Sequence, residues 1–140
     1  DSYYVFDMLW KKNNKLKMVV IGDIDTIPEL LKNNNRVIIT GLISKKDVVE
    51  YLKRSKYFIT TTLIENASNA TCEGIIMAGE SYISDIGPHR ELLHGEDYKY
   101  LSIPNVNQSI ICVNGDNIEG KNLKPWHDVI SEMIHKLKHL

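Results

Sequence analysis

Three short runs of apolar, β-branched residues, MVVIG (18–22), RVIITG (36–41) and YFITTT (57–62), each give way to a segment with a helical pattern. That alternation constrains the fold more than any other feature. Strands that read as continuous apolar runs are buried on both faces and are joined by crossover helices. The first connecting segment, DTIPELLKNN, offers Asp25 or Thr26 as a cap with Pro28 in the first turn. The second, SKKDVVEYLKRS, sets Ser44 three residues before Asp47, close to a capping box. SYISDI (81–86) supplies a fourth strand, and QSIICV (108–113) a fifth or an edge strand. Connections this short join neighbours. The pattern predicts an open, mainly parallel, Rossmann-like α/β sheet with helices on both faces and ligands at the strand C-terminal ends.

The ends are less regular. SYYVFDMLWKKN (2–13) is apolar on most sides and reads as a buried helix whose preceding strand is expected upstream of Asp1. The 140 residues are therefore expected to form a single domain, 1–140, truncated at its N-terminus. After Pro125, the residues Trp126, Val129, Ile130, Met133, Ile134 and Leu137 recur at helical spacing, predicting a terminal helix over about 125–140. Apart from the strand at 108–113, residues 103–123 read as loop.

Seventeen Lys and Arg against 18 Asp and Glu leave a net charge of −1, which gives no electrostatic reason to expect a nucleic-acid partner. The two cysteines, Cys72 and Cys112, belong to no CxxC and make no disulfide framework, so a reducing cytoplasm is expected. No apolar run approaches the roughly 20 residues that span a bilayer, and the chain lacks a signal-peptide pattern. Peripheral association with the inner face of the membrane stays open.

The candidate site is LIENASNATCEGIIMAG (63–79), where a strand runs into a helix that starts near Asn69 and can end at Gly79. Glu65 and Glu73 have seven residues between them. Glu65 falls at the C-terminal edge of the sheet, beside helix N–H groups that Ser68 or Asn66 can cap and that favour an anion. Glu73, one turn further on, presents an acceptor-only carboxylate suited to vicinal hydroxyls such as those of a ribose. The small residues Asn66, Ala67, Ser68, Asn69, Ala70 and Thr71 allow a ligand to approach the backbone. Acids are also favourable near helix N-termini with no further role, so position alone leaves both readings open.

The ordered set of motifs resembles the C-terminal domain of family 4 glycosyltransferases, retaining enzymes of the two-domain GT-B fold. The likeness rests on Glu65 and Glu73 with their spacing, Ala78-Gly79, Gly87 and Glu91-Leu92, together with the upstream RVIITGLISKKDVVEYLKRSKYFITTT, and it covers about residues 18–93. The resemblance implies that Glu73 holds the ribose of a nucleotide-sugar and that Glu65 lies beside the donor sugar as the catalytic-site acid. It places Asn66, Ala67, Ser68 and Asn69 against sugar and diphosphate, and Gly41, Leu42 and Ile43 beside the base. The substrate implied is a UDP-, GDP- or ADP-sugar, with no further cofactor. A glycan or lipid-linked acceptor would bind through an N-terminal domain, as in bacterial polysaccharide synthesis. Two departures stand out: Glu80 follows Ala78-Gly79 where the family usually has Pro, and Asn66-Ala67-Ser68 replaces a Gly-aromatic-Gly type of loop. The family's diphosphate-binding Arg and Lys would precede Asp1, so these residues alone are not expected to turn over.

Other features have simpler readings. Asp23-Ile24-Asp25 matches an Asp-x-Asp metal triplet, but Asp25 as a helix cap explains it, and no metal is expected. None of the five histidines has zinc spacing; His89 reads as a surface-turn residue, and Arg90 as a loop charge that can reach a phosphate. Cys72 reads as packing, since no His lies near it in sequence to activate it. The rival readings are a GT-B-type nucleotide-sugar epimerase domain and a non-enzymatic, flavodoxin-like receiver module.

Overall fold

A computed structural model describes residues 1–65, 69–93 and 98–114. The terminal helix expected over about 125–140 lies outside them, as do Asn66, Ala67 and Ser68. The described elements are α1 (Ser2–Lys12), β1 (Met18–Ile21), a 3-10 turn (Ile24–Thr26), α2 (Glu29–Lys32), β2 (Val37–Gly41), α3 (Lys45–Arg54), β3 (Tyr57–Thr60), α4 (Asn69–Met77), β4 (Glu80–Ser84), α5 (Gly87–Leu92), β5 (Tyr98–Leu101) and β6 (Ile110–Asn114). The fold is mixed α/β. None of the described helices is long and apolar enough to cross a membrane.

Its strands form two sheets. β1 and β2 pair in parallel, while β3, β4, β6 and β5 form a four-stranded sheet in that order. β3 and β4 are parallel, and β6 runs antiparallel to both β4 and β5. The 108–113 run is thus an interior strand rather than an edge, and β5 is a strand that the apolar pattern did not reveal. Tyr98-Lys99-Tyr100 owes its extended form to pairing with β6, a contact distant in sequence.

The four-stranded sheet carries the core on both faces. On one lie Val5 and Leu9 of α1 with Tyr82, Ile103 and Ile110; on the other lie Ile75 of α4 with Ile83, Leu93, Ile111 and Val113. Consecutive residues of β4 (Tyr82, Ile83) and β6 (Ile110, Ile111) alternate between these faces, as the two-residue strand period requires. β1 has no fully buried residue, and β2 has only Gly41.

The helices follow their local chemistry. Ser44 caps α3, its hydroxyl accepting from the Asp47 amide at 3.2 Å and donating to the Asp47 carboxylate at 2.6 Å. The expected Asp25 cap is replaced by Asp23, whose carboxylate accepts from the Asp25 amide at 3.0 Å, and α2 begins after Pro28 without a side-chain cap. Gly22, just past β1, has φ +151°, and the 3-10 turn follows at Ile24.

In α4, Thr71, Gly74 and Ile75 make the buried face, which Ala78 just past the helix extends. A Cβ on Gly74 would lie 2.4 Å from the Phe58 ring of β3, so this mid-helix glycine sets how closely helix and sheet approach. α1 uses more than one side. Val5 and Leu9 face the four-stranded sheet, while the Arg36 guanidinium, just before β2, lies over Trp10 at 4.5 Å and near Phe6 and Tyr3. Arg36 also pairs with Asp7 at 3.0 Å. The apolar surround of this helix therefore serves both sheets.

Candidate functional site

The described residues singled out in the sequence follow two strands, β2 and β3. β3 passes through Thr61 and Thr62 to Leu63 and Ile64, both strongly exposed, and then to half-buried Glu65. Thr62 fixes this approach twice: its hydroxyl donates to the Ile64 carbonyl at 3.0 Å, and its own carbonyl accepts from Ser84 Oγ at 2.6 Å. Asn69 is the exposed first residue of α4. Glu73 lies in the next turn.

The Glu73 carboxylate, 24% exposed, makes an ion pair with Lys45 at the start of α3. This contact joins α4 to the segment that follows β2, although the two residues are 28 positions apart. Glu73 is therefore paired with a cation that was not visible in the motif spacing.

The loop expected to flank a base is built on Gly41, which is buried with φ +71°, a left-handed conformation that disfavours side chains. Its carbonyl accepts from Gly22 N at 3.2 Å and from the Thr40 hydroxyl at 3.0 Å, tying the ends of β1 and β2 together. The next residue, Leu42, is 83% exposed. Ile43 turns into an open groove with Ile38, Thr40, Asp47, Tyr51 and Arg54 between β2 and α3. Gly41 to Ile43 thus adjoins Lys45, and through it Glu73.

Two expectations are corrected here. His89 is fully buried rather than on a surface turn. Its Nδ1 lies 2.8 Å from the Ser84 carbonyl, and its Nε2 lies 3.2 Å from Thr71 Oγ1. Arg90 is not a free loop charge. Its Nε donates to Asp85 Oδ1 at 2.6 Å, and the carboxylate raises the guanidinium pKa. A phosphate would have to compete with Asp85 for it.

Cys72 is half-buried, and burial followed by the adjacent Glu73 charge raises its pKa, the reverse of what a nucleophile needs. Cys112 donates to Glu80 Oε1 at 3.0 Å; burial, reinforced by that bond, pushes its pKa up to about 12. Among the described residues no three His, Cys, Asp or Glu side chains come together as a metal-ligand set. Neither a protein-family model, nor a curated protein, nor a solved structure matches the chain.

Proposed function

We propose that the chain is the nucleotide-sugar-binding domain of a retaining glycosyltransferase, which moves a sugar from a nucleoside diphosphate donor to a glycan or lipid-linked acceptor. The observation that carries this reading is the meeting of Glu73 with Lys45, which follows the loop after β2. Sugar, ribose and base need contacts side by side, and these three segments supply them in order. Glu65 orients the donor sugar. Glu73 accepts from the ribose hydroxyls, with one carboxylate oxygen already held by Lys45. Gly41, Leu42 and Ile43 flank the base through backbone and apolar surface. The departing diphosphate gains negative charge, which the N–H groups at the start of α4 and the Lys45 ammonium stabilise.

The fold in this reading has one more parallel strand, ahead of α1 and between β1 and β3. It would join the two sheets into a single Rossmann-like sheet ordered β2-β1-strand-β3-β4-β6-β5. The placement of α1 supports this. Ser2 Oγ lies 2.8 Å from Thr61 Oγ1 just past β3, and the helix leads by way of Asn13 and Leu16 to the start of β1. That is the path of a crossover helix.

The test is a calorimetric titration of the full-length protein with UDP-, GDP- and ADP-sugars. One of the three is expected to bind, and Glu73→Ala is expected to weaken it by about tenfold or more, the loss of hydrogen bonds to a charged acceptor. No binding to any of them removes the reading. Binding that Glu73→Ala leaves unchanged removes the role of that residue.

A further inference from the structure

The segment carrying Glu65 and the start of α4 is gripped at both ends by one buried polar cluster. Ser84 Oγ donates to the Thr62 carbonyl at 2.6 Å, three residues before Glu65. Thr71 Oγ1 meets His89 Nε2 at 3.2 Å, two residues before Glu73. His89 closes the circuit through Nδ1, which lies 2.8 Å from the Ser84 carbonyl and 3.3 Å from Ser84 Oγ.

The proton positions follow from the partners. A carbonyl only accepts, so Nδ1 carries the hydrogen. Ser84 Oγ has committed its own hydrogen to Thr62 and can only accept from the ring. Nε2 on the far side of the ring meets the Thr71 hydroxyl at 3.2 Å. Thr71, Ser84 and His89 are all at most 1% exposed. Buried polar groups of this kind are costly to unpair, so the cluster fixes its members firmly.

We propose that His89 is a positioning residue that holds the start of α4 at a fixed distance from the strand end leading to Glu65. It touches no ligand itself; it sets where Glu65 and Glu73 stand relative to one another. This inference rests on the nucleotide-sugar reading for its ligand. A core histidine without this role would contribute stability alone.

Thr71→Val and Thr71→Ser discriminate between the two. Valine keeps the shape of threonine and removes the hydroxyl, whereas serine keeps the hydroxyl. In the full-length protein, Thr71→Val is expected to weaken binding of the preferred nucleotide-sugar about tenfold, with Thr71→Ser within about twofold of wild type. Amide exchange at Leu63–Glu65 and Asn69–Glu73 is expected to quicken about tenfold in Thr71→Val, while the amides of β6 stay within twofold. His89→Gln, which presents an amide near the Nε2 position, is expected to retain more binding than His89→Leu. Should wild type bind and Thr71→Val bind as well, with unchanged local exchange, the clamp is overturned and the nucleotide-sugar reading stands. Should wild type bind none of the three nucleotide-sugars, that reading falls and takes the ligand role of His89 with it.

Discussion

β1 and β2 are richer in β-branched residues than β3 and β4, and both pairs are parallel, yet the first pair is the less buried. Ile38 of β2 is 47% exposed, whereas Ile83 of β4 and Ile111 of β6 are fully buried. The difference comes from neighbours. β4 has strands on both edges and helices on both faces, while among the described residues β1 and β2 have no strand neighbours but each other. An apolar parallel strand is thus a request for burial that only non-local partners can fill.

Paired substitutions probe that contrast most strongly. Ile111→Ala should cost about 3 kcal/mol, the expected loss for a buried isoleucine, whereas Ile38→Ala should cost less than about 1 kcal/mol. Chemical denaturation of both variants checks this, and equal costs would mean that the β1–β2 pair is buried in solution. Gly74→Ala should come next. Alanine favours a helix interior by about 1 kcal/mol, but the Phe58 ring must move, and overpacking costs about 1–3 kcal/mol, giving a net loss. A stabilised variant would show that α4 sits further from β3.

Two smaller effects sharpen the comparison. Because burial first, and the Glu80 hydrogen bond second, push the Cys112 pKa up to about 12, its alkylation at neutral pH should be on the order of a thousandfold slower than that of an unfolded peptide thiol. Fast labelling, measured by mass spectrometry in a Cys72→Ser background, would mean that the four-stranded sheet opens as readily as its partner. Asp7 gives the smallest signal. Lys11 first and then Arg36 lower its pKa below the ordinary 3.8. A carboxylate depressed in the folded state stabilises above its unfolded pKa and loses that contribution as pH falls through the folded value. An NMR titration of Asp7 should show the low midpoint, and Lys11→Met with Arg36→Met should return it to the ordinary value.

The sequence reading went furthest where the cause is local. β-branched runs marked β1, β2 and β3, SYISDI and QSIICV marked β4 and β6, and Ser44 with Asp47 marked the start of α3, because those signals sit within a few residues of what they control. The separation into two sheets depends on pairing between distant segments and left no mark in any single stretch. His89 was misread for the same reason: its turn-like setting in Gly87-Pro88-His89 says nothing of Thr71, 18 residues away. In the candidate site, the spacing of Glu65 and Glu73 drew attention to one region, but Lys45 became visible only when α3 and α4 were brought together.

Arg36 lying over Trp10 has an optical consequence. Trp10 is one of two tryptophans and sits where α1 meets the residue that opens onto β2, outside the cores of the four-stranded sheet. In a Trp126→Phe background, its emission would report the opening of that joint alone. Circular dichroism at the β-sheet band would follow the larger sheet. Denaturation curves from the two signals would separate if the α1–β2 joint loosens first, and superpose if one cooperative transition governs both.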